Sequence, residues 1–177
     1  MKSVALALAL LVVTAGCGGG GRDPGTDRPV EDVGRGCAYV LPPHWIAFDS
    51  ELRSPNGTLL EIRVYDLVDA EHTFLAGLPD TLIPKLEEWG RIYFILEGPP
   101  ARTQMTVGGE PATELTYTVR ARREDSTPSK LIYWVIRHEE KLYVLRASLP
   151  AKVEAKDGAP LRAVVSSFRF LAAPATP

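Results

Sequence analysis

The sequence predicts an α+β fold, an antiparallel β-sheet of about six to seven strands sandwiched with two main helices. Three observations carry this. Short runs of alternating apolar residues recur between Gly, Pro and Asn turns. Two segments place apolar residues at helical spacing. The strand runs follow one another through hairpin-length connections, which make the sheet antiparallel.

In chain order, Tyr39, Val40 and Leu41 form a short apolar run stopped by Pro42 and Pro43, an opening strand. Residues 45–48 are the next extended piece. Ser54-Pro55-Asn56-Gly57 is a turn leading into a strand over 58–66, where Leu60, Ile62 and Val64 alternate with Glu61, Arg63 and Tyr65. Asp80 caps a helix predicted from Thr81 to about Phe94, with Leu82, Leu86, Trp89 and Tyr93 on one stripe. Pro84 falls in its first turn, whose amides have no intrahelical partner. Gly98, Pro99 and Pro100 end it.

Residues 102–107 and 110–122 read as a hairpin joined by Gly108-Gly109, which supplies the positive φ of a tight turn. Residues 130–138 are apolar on both faces, so this strand belongs in the middle of the sheet with a layer on each side. Glu139-Glu140 turns the chain into a second two-sided strand over 141–149. Pro160 is read as the start of a helix bearing Leu161, Val164, Val165 and Phe168 at i, i+3, i+4 and i+7. From Arg169 the pattern runs out.

The N-terminus has a different logic. Lys2 gives a one-charge head, and residues 4–13 are an unbroken apolar run, too short for a bilayer span of about 20 residues but right for a signal peptide. Val13-Thr14-Ala15-Gly16-Cys17 resembles a lipobox, with small residues before the Cys and Thr14 where Leu is commonest. The expectation is a signal peptide over 1–16, a lipidated Cys17, and a flexible linker over 17–35 with a reach of about 25 Å. A single domain over 36–172 and a loose tail over 173–177 complete the division. Acyl chains on Cys17 would anchor the chain durably to the cell membrane or outer membrane, on the extracytoplasmic side.

Removing Lys2 leaves 19 basic against 22 acidic residues, a net charge of −3. That is no field for holding nucleic acid, so a nucleic-acid partner is not expected.

Several short patterns taken together resemble one known family. Tyr39-x-Leu41-Pro42-x-x-Trp45 opens the domain and Gly109-x-Pro111-Ala112 lies on the middle hairpin. Residues 141–145 read Lys-Leu-Tyr-Val-Leu, and Ser166-Ser167-Phe168-Arg169-Phe170 closes. These resemble the PsbP-like superfamily, which includes extrinsic photosystem proteins, a eukaryotic Ran-binding factor and many bacterial lipoproteins. The resemblance spans about residues 38–170. It implies an antiparallel sheet between helices, and a binding or assembly role rather than an enzymatic one. It carries no ligand-binding residue set onto this chain.

Chemistry-bearing residues are few. Cys37 is left without a partner once Cys17 is acylated. It is a nucleophile with His44 or His138, a link to another chain, or a small buried apolar residue, and the last is preferred. Asp66, Asp69, Glu71 and His72 are the densest group of hard ligands for a divalent cation, though their spacing fits no loop template and a solvated loop explains them. Arg120, Arg122 and Arg123 could meet phosphate, but Glu124 and Asp125 follow and indicate a mixed-charge hairpin tip. The histidines at 44, 72 and 138 are far apart, and no hydrolase, zinc or phosphate-loop motif is present. Trp45, Trp89 and Trp134 are read as core.

No catalytic residue, cofactor or metal site is therefore expected. The leading expectation is a non-catalytic, membrane-tethered domain that binds or supports an envelope protein. A carrier of small ligands or lipids, using a helix–sheet cleft lined by Trp89, Tyr93 and Trp134, is second. An enzyme built on Cys37 is third.

Overall fold

The computed structural model describes residues 25–67, 94–121 and 127–172. Eleven strands occur among them: β1 Arg28–Asp32, β2 Cys37–Leu41, β3 Ile46–Phe48, β4 Glu51–Arg53, β5 Leu59–Asp66, β6 Phe94–Leu96, β7 Ala101–Val107, β8 Glu110–Ala121, β9 Ser129–His138, β10 Lys141–Pro150 and β11 Arg169–Phe170. A single 3-10 turn, Ala151–Val153, leads into the α-helix α1, Glu154–Ser166.

The strands form two antiparallel sheets. The larger has the order β3-β4-β5-β10-β9-β8-β6, with β7 also pairing with β8. The smaller is β1-β2-β11. β9 and β10 lie centrally, and their alternate side chains enter two separate cores, as their two-sided apolar pattern requires. On one face Trp134, Ile136, Tyr143 and Leu145 pack with Leu60, Ile62, the helix and the small sheet. On the other, Tyr133, Val135, Leu142 and Val144 join Leu115, Tyr117 and Val119.

The helix stripe is buried as its spacing predicts: Leu161, Val164, Val165 and Phe168 all lie in the first core, each contributing about 1.5–3 kcal/mol by leaving water. Its start differs from expectation. The helix begins at Glu154, and Pro160 lies inside it. Pro160 cannot donate to the preceding turn, and the turns before it are held by tertiary contacts instead. The carboxylate of buried Asp157 accepts hydrogen bonds from Ser54 Oγ at 2.5 Å, Thr58 Oγ1 at 2.6 Å and Asn56 Nδ2 at 2.7 Å. The Ser54–Gly57 turn and the helix are thereby stapled together.

Other expectations need correction. Residues 28–32, read as linker, are a strand; only Val30 packs against the core, and the ladder to β2 rather than an apolar face defines it. The strand count exceeds six to seven because β4, β6 and β11 have three, three and two residues, too few for a period to show. Phe94, placed at a helix end, starts β6, paired with Ala121. Phe170 belongs to β11 rather than a fading terminus, pairing with Cys37. One α-helix, not two, is found among the described residues; residues 81–93 of the other expected helix lie outside them.

The turns follow backbone chemistry. Gly108 and Gly109 have φ of 61° and 90°, as the two-residue hairpin demands. Glu139 takes a positive φ of 52° without being glycine, because the β9–β10 register leaves only two residues between His138 and Lys141.

Candidate functional site: an exposed sheet face and the open edge of β5

The first core and the second core leave one part of the large sheet facing outward, around β3, β4 and the start of β5. Directly opposed residues of antiparallel strands share a face. One cross-strand row therefore reads Phe48, Glu51, Glu61, Arg146 and Tyr133, and the next reads Ile46, Arg53, Leu59 and Ser148. Tyr133 is the inner end of the first row and belongs to the second core. At the outer end Phe48 is 75% exposed and Ile46 is 57% exposed. Two large apolar side chains on one face of an edge strand are an unusual surface for a small domain.

Paired arginines surround them. Arg53 is bonded to Glu51. Glu61 is shared by two guanidiniums, Arg63 at 2.7 Å and Arg146 at 3.4 Å. The geometry is arranged by the strand period, since residues 61 and 63 project to the same side of β5. Aromatic and arginine side chains grouped in this way are the composition of protein-binding hot spots.

Beside this face lies an open groove of about 700 Å³, lined by Gly34, Arg35, Ser50 and β5 residues 61–65. Arg35 fixes one wall, bonding Asp32 at 2.8 Å in its own turn and Asp49 at 3.0 Å in the β3–β4 turn.

The residues singled out by sequence fall elsewhere. Cys37 is fully buried between β1 and β11. Burial, reinforced by the negative charge of Asp32 and eased by Arg35, pushes its thiol up to about 12, so the thiolate needed for nucleophilic chemistry is suppressed. His138 stacks on Phe170 with ring centroids 3.9 Å apart, and its Nδ1 lies 2.9 Å from Glu110 Oε1. Asp66 ends β5, exposed and opposite Lys141. Asp69, Glu71, His72, Arg122 and Arg123 lie outside the described residues, as do Cys17, Trp89 and Tyr93. Among the described residues no three His, Cys, Asp or Glu are placed to hold a metal ion. Trp134 is fully buried and donates its indole N–H to Glu114 at 2.7 Å. Glu114 also takes Arg162 at 3.1 Å. That is the arrangement of a satisfied core residue rather than the wall of a cleft.

Sequence reasoning missed the exposed face altogether. Its only sequence signal was the apolar pair Ile46 and Phe48 two residues apart, which reads equally as core.

No family model matches this chain, and no curated protein does. Solved structures do. Cyanobacterial PsbP (CyanoP) from Synechocystis sp. PCC 6803 aligns at TM-score 0.60 with 16% identity, covering 89% of this chain and 98% of its own. The fold is PsbP-like. LpqN of Mycobacterium tuberculosis, a protein involved in cell envelope biogenesis, aligns at TM-score 0.51 with 11% identity, over 83% of this chain and 91% of its own. The yeast Ran-binding protein Mog1p aligns at TM-score 0.49 with 12% identity. At these identities the likeness to CyanoP and LpqN establishes the fold alone. No helix among the described residues is long and apolar enough to cross a membrane.

Proposed function

We propose that the chain is an extracytoplasmic lipoprotein, anchored through Cys17, whose PsbP-like domain binds or supports the assembly of an envelope protein and catalyses no reaction. The observation that carries the binding role is the exposed Ile46–Phe48 face with its flanking arginines. An apolar pair left in water has a standing gain of a few kcal/mol on being covered. Arg53 beside it is already matched to Glu51, so a partner can cover that pair without stranding a charge. The anchor rests on the apolar run of residues 4–13 and the small residues before Cys17. LpqN, with a similar fold, is involved in envelope biogenesis, which is the compartment this reading assigns.

Two measurements test it. Mass spectrometry of the N-terminal peptide is expected to find acyl chains on Cys17, and Cys17→Ala is expected to move the protein from envelope to soluble fractions. An unmodified Cys17 would remove the anchor. Capture from gently solubilised envelopes is expected to recover a stoichiometric partner with the native chain and to lose it with Ile46→Ser/Phe48→Ser. Equal recovery by both would remove the face.

A further inference from the structure

The groove beside the exposed face has a feature that selects one shape of partner. β4 pairs with β5 only from Leu59 to Glu61, whereas β5 continues to Asp66. Ile62 N–H bonds to Ser50 O at 2.9 Å and Ser54 N–H to Thr58 O at 2.9 Å, so the even-numbered peptide groups of β5 point toward β4. Leu67 N–H bonds Glu140 O at 2.8 Å, which places the odd-numbered groups toward β10. The N–H and C=O groups of Val64 and Asp66 therefore point into the groove past the end of β4, where no strand among the described residues pairs with them. Unpaired strand groups facing a groove are a template for another strand.

The walls define what that strand carries. On one side of the β5 pleat, Arg63 is 51% exposed while the carboxylate it shares with Arg146, Glu61, is only 13% exposed. Because Arg146 on β10 shares that carboxylate, the charge of Arg63, which lines the groove, is only partly matched. On the other side is the apolar, partly buried Val64, and Gly34 also lines the groove without a side chain. We propose that the β5 edge from Arg63 to Asp66 takes, by strand addition, an extended segment of a partner protein in which acidic residues alternate with small apolar ones. Acidic side chains of that segment lie beside Arg63, and small apolar ones lie between Val64 and Gly34. Arg35 closes the rim, already committed to Asp32 and to the largely exposed Asp49.

This rests on the protein-binding reading and names the form of its ligand. The probe is a ten-residue peptide alternating valine and glutamate, with a valine–lysine peptide beside it. Both are added to the isotope-labelled full chain in detergent micelles. The glutamate peptide is expected to shift and protect the amides of Val64 and Asp66, and to bind at least tenfold more tightly than the lysine peptide. Val64→Pro deletes an outward N–H while sparing every bond to β10, and is expected to weaken binding at least tenfold. Arg63→Glu is expected to reverse the charge preference. Unmoved Val64 and Asp66 amides at saturating glutamate peptide overturn the proposal, as does unchanged affinity in Val64→Pro. A partner captured from envelopes equally by the native chain and Val64→Pro also overturns it, and leaves the protein-binding reading standing. Failure to capture any partner removes that reading instead.

Discussion

Asp157 shows how one side chain holds a helix in a place its own sequence would not choose. Its burial opposes ionisation, but donors from Ser54, Thr58 and Asn56, with the Thr58 amide, outweigh that and hold its carboxyl below the usual range. A folded pKa below the unfolded one adds stability above the unfolded value near 4, and that stability is lost as pH falls through the folded pKa. Asp157→Ala leaves Ser54 and Thr58 hydroxyls buried without an acceptor and is expected to cost about 3 kcal/mol, measured by urea denaturation at neutral pH. The native chain should lose much of that difference in acid, below about pH 4; a difference that stays constant down to pH 2 would show that the carboxylate charge is not what the turn reads. Cys37 gives a second test at this scale. Its thiol should resist alkylation in the folded chain and react only on unfolding. Rapid labelling under native conditions would contradict its burial. Neither Asp157 nor Glu114 was legible in the sequence as a buried acid, because nothing in a one-dimensional pattern marks an acid whose donors converge from distant positions: Ser54, Asn56 and Thr58, about a hundred residues away, on Asp157, and Trp134 and Arg162 on Glu114.

At the scale of elements, the sequence was most readable where a period had room to repeat. The β7–β8 hairpin, the two central strands and the helix stripe all follow it. The short strands do not, since β4, β6 and β11 owe their existence to the neighbour they pair with rather than to alternation. β11 depends on local packing as well. A Cβ on Gly108 would lie 2.8 Å from Phe170 Cε2 and 3.3 Å from the Phe168 carbonyl, at a φ of 61°. Gly109 has positive φ but open space. Gly108→Ala is therefore expected to cost at least 1 kcal/mol more than Gly109→Ala, and to loosen the Phe170–His138 stack. Thermal melts of the two variants, with amide exchange at Phe170, distinguish them; equal losses would show that only the backbone conformation matters.

For the whole molecule, the resemblance of a few scattered motifs to PsbP-like proteins and the alignment with CyanoP and LpqN agree on the fold. The site was less legible than the fold. A core announces itself by periodicity, but Ile46 and Phe48 are exposed only because β3 lies at the edge of the large sheet with both side chains on its outer face. That placement is a property of topology, and a three-residue strand states nothing about it in advance. Site-specific photocrosslinking in intact cell envelopes tests the binding face most directly. A photoreactive residue replaces Phe48 in one variant and Lys156, exposed on the helix at the opposite face, in another. A discrete, saturable adduct at position 48 with none at position 156 is expected. No adduct at 48, or the same adducts at both positions, would contradict a partner seated on this sheet face.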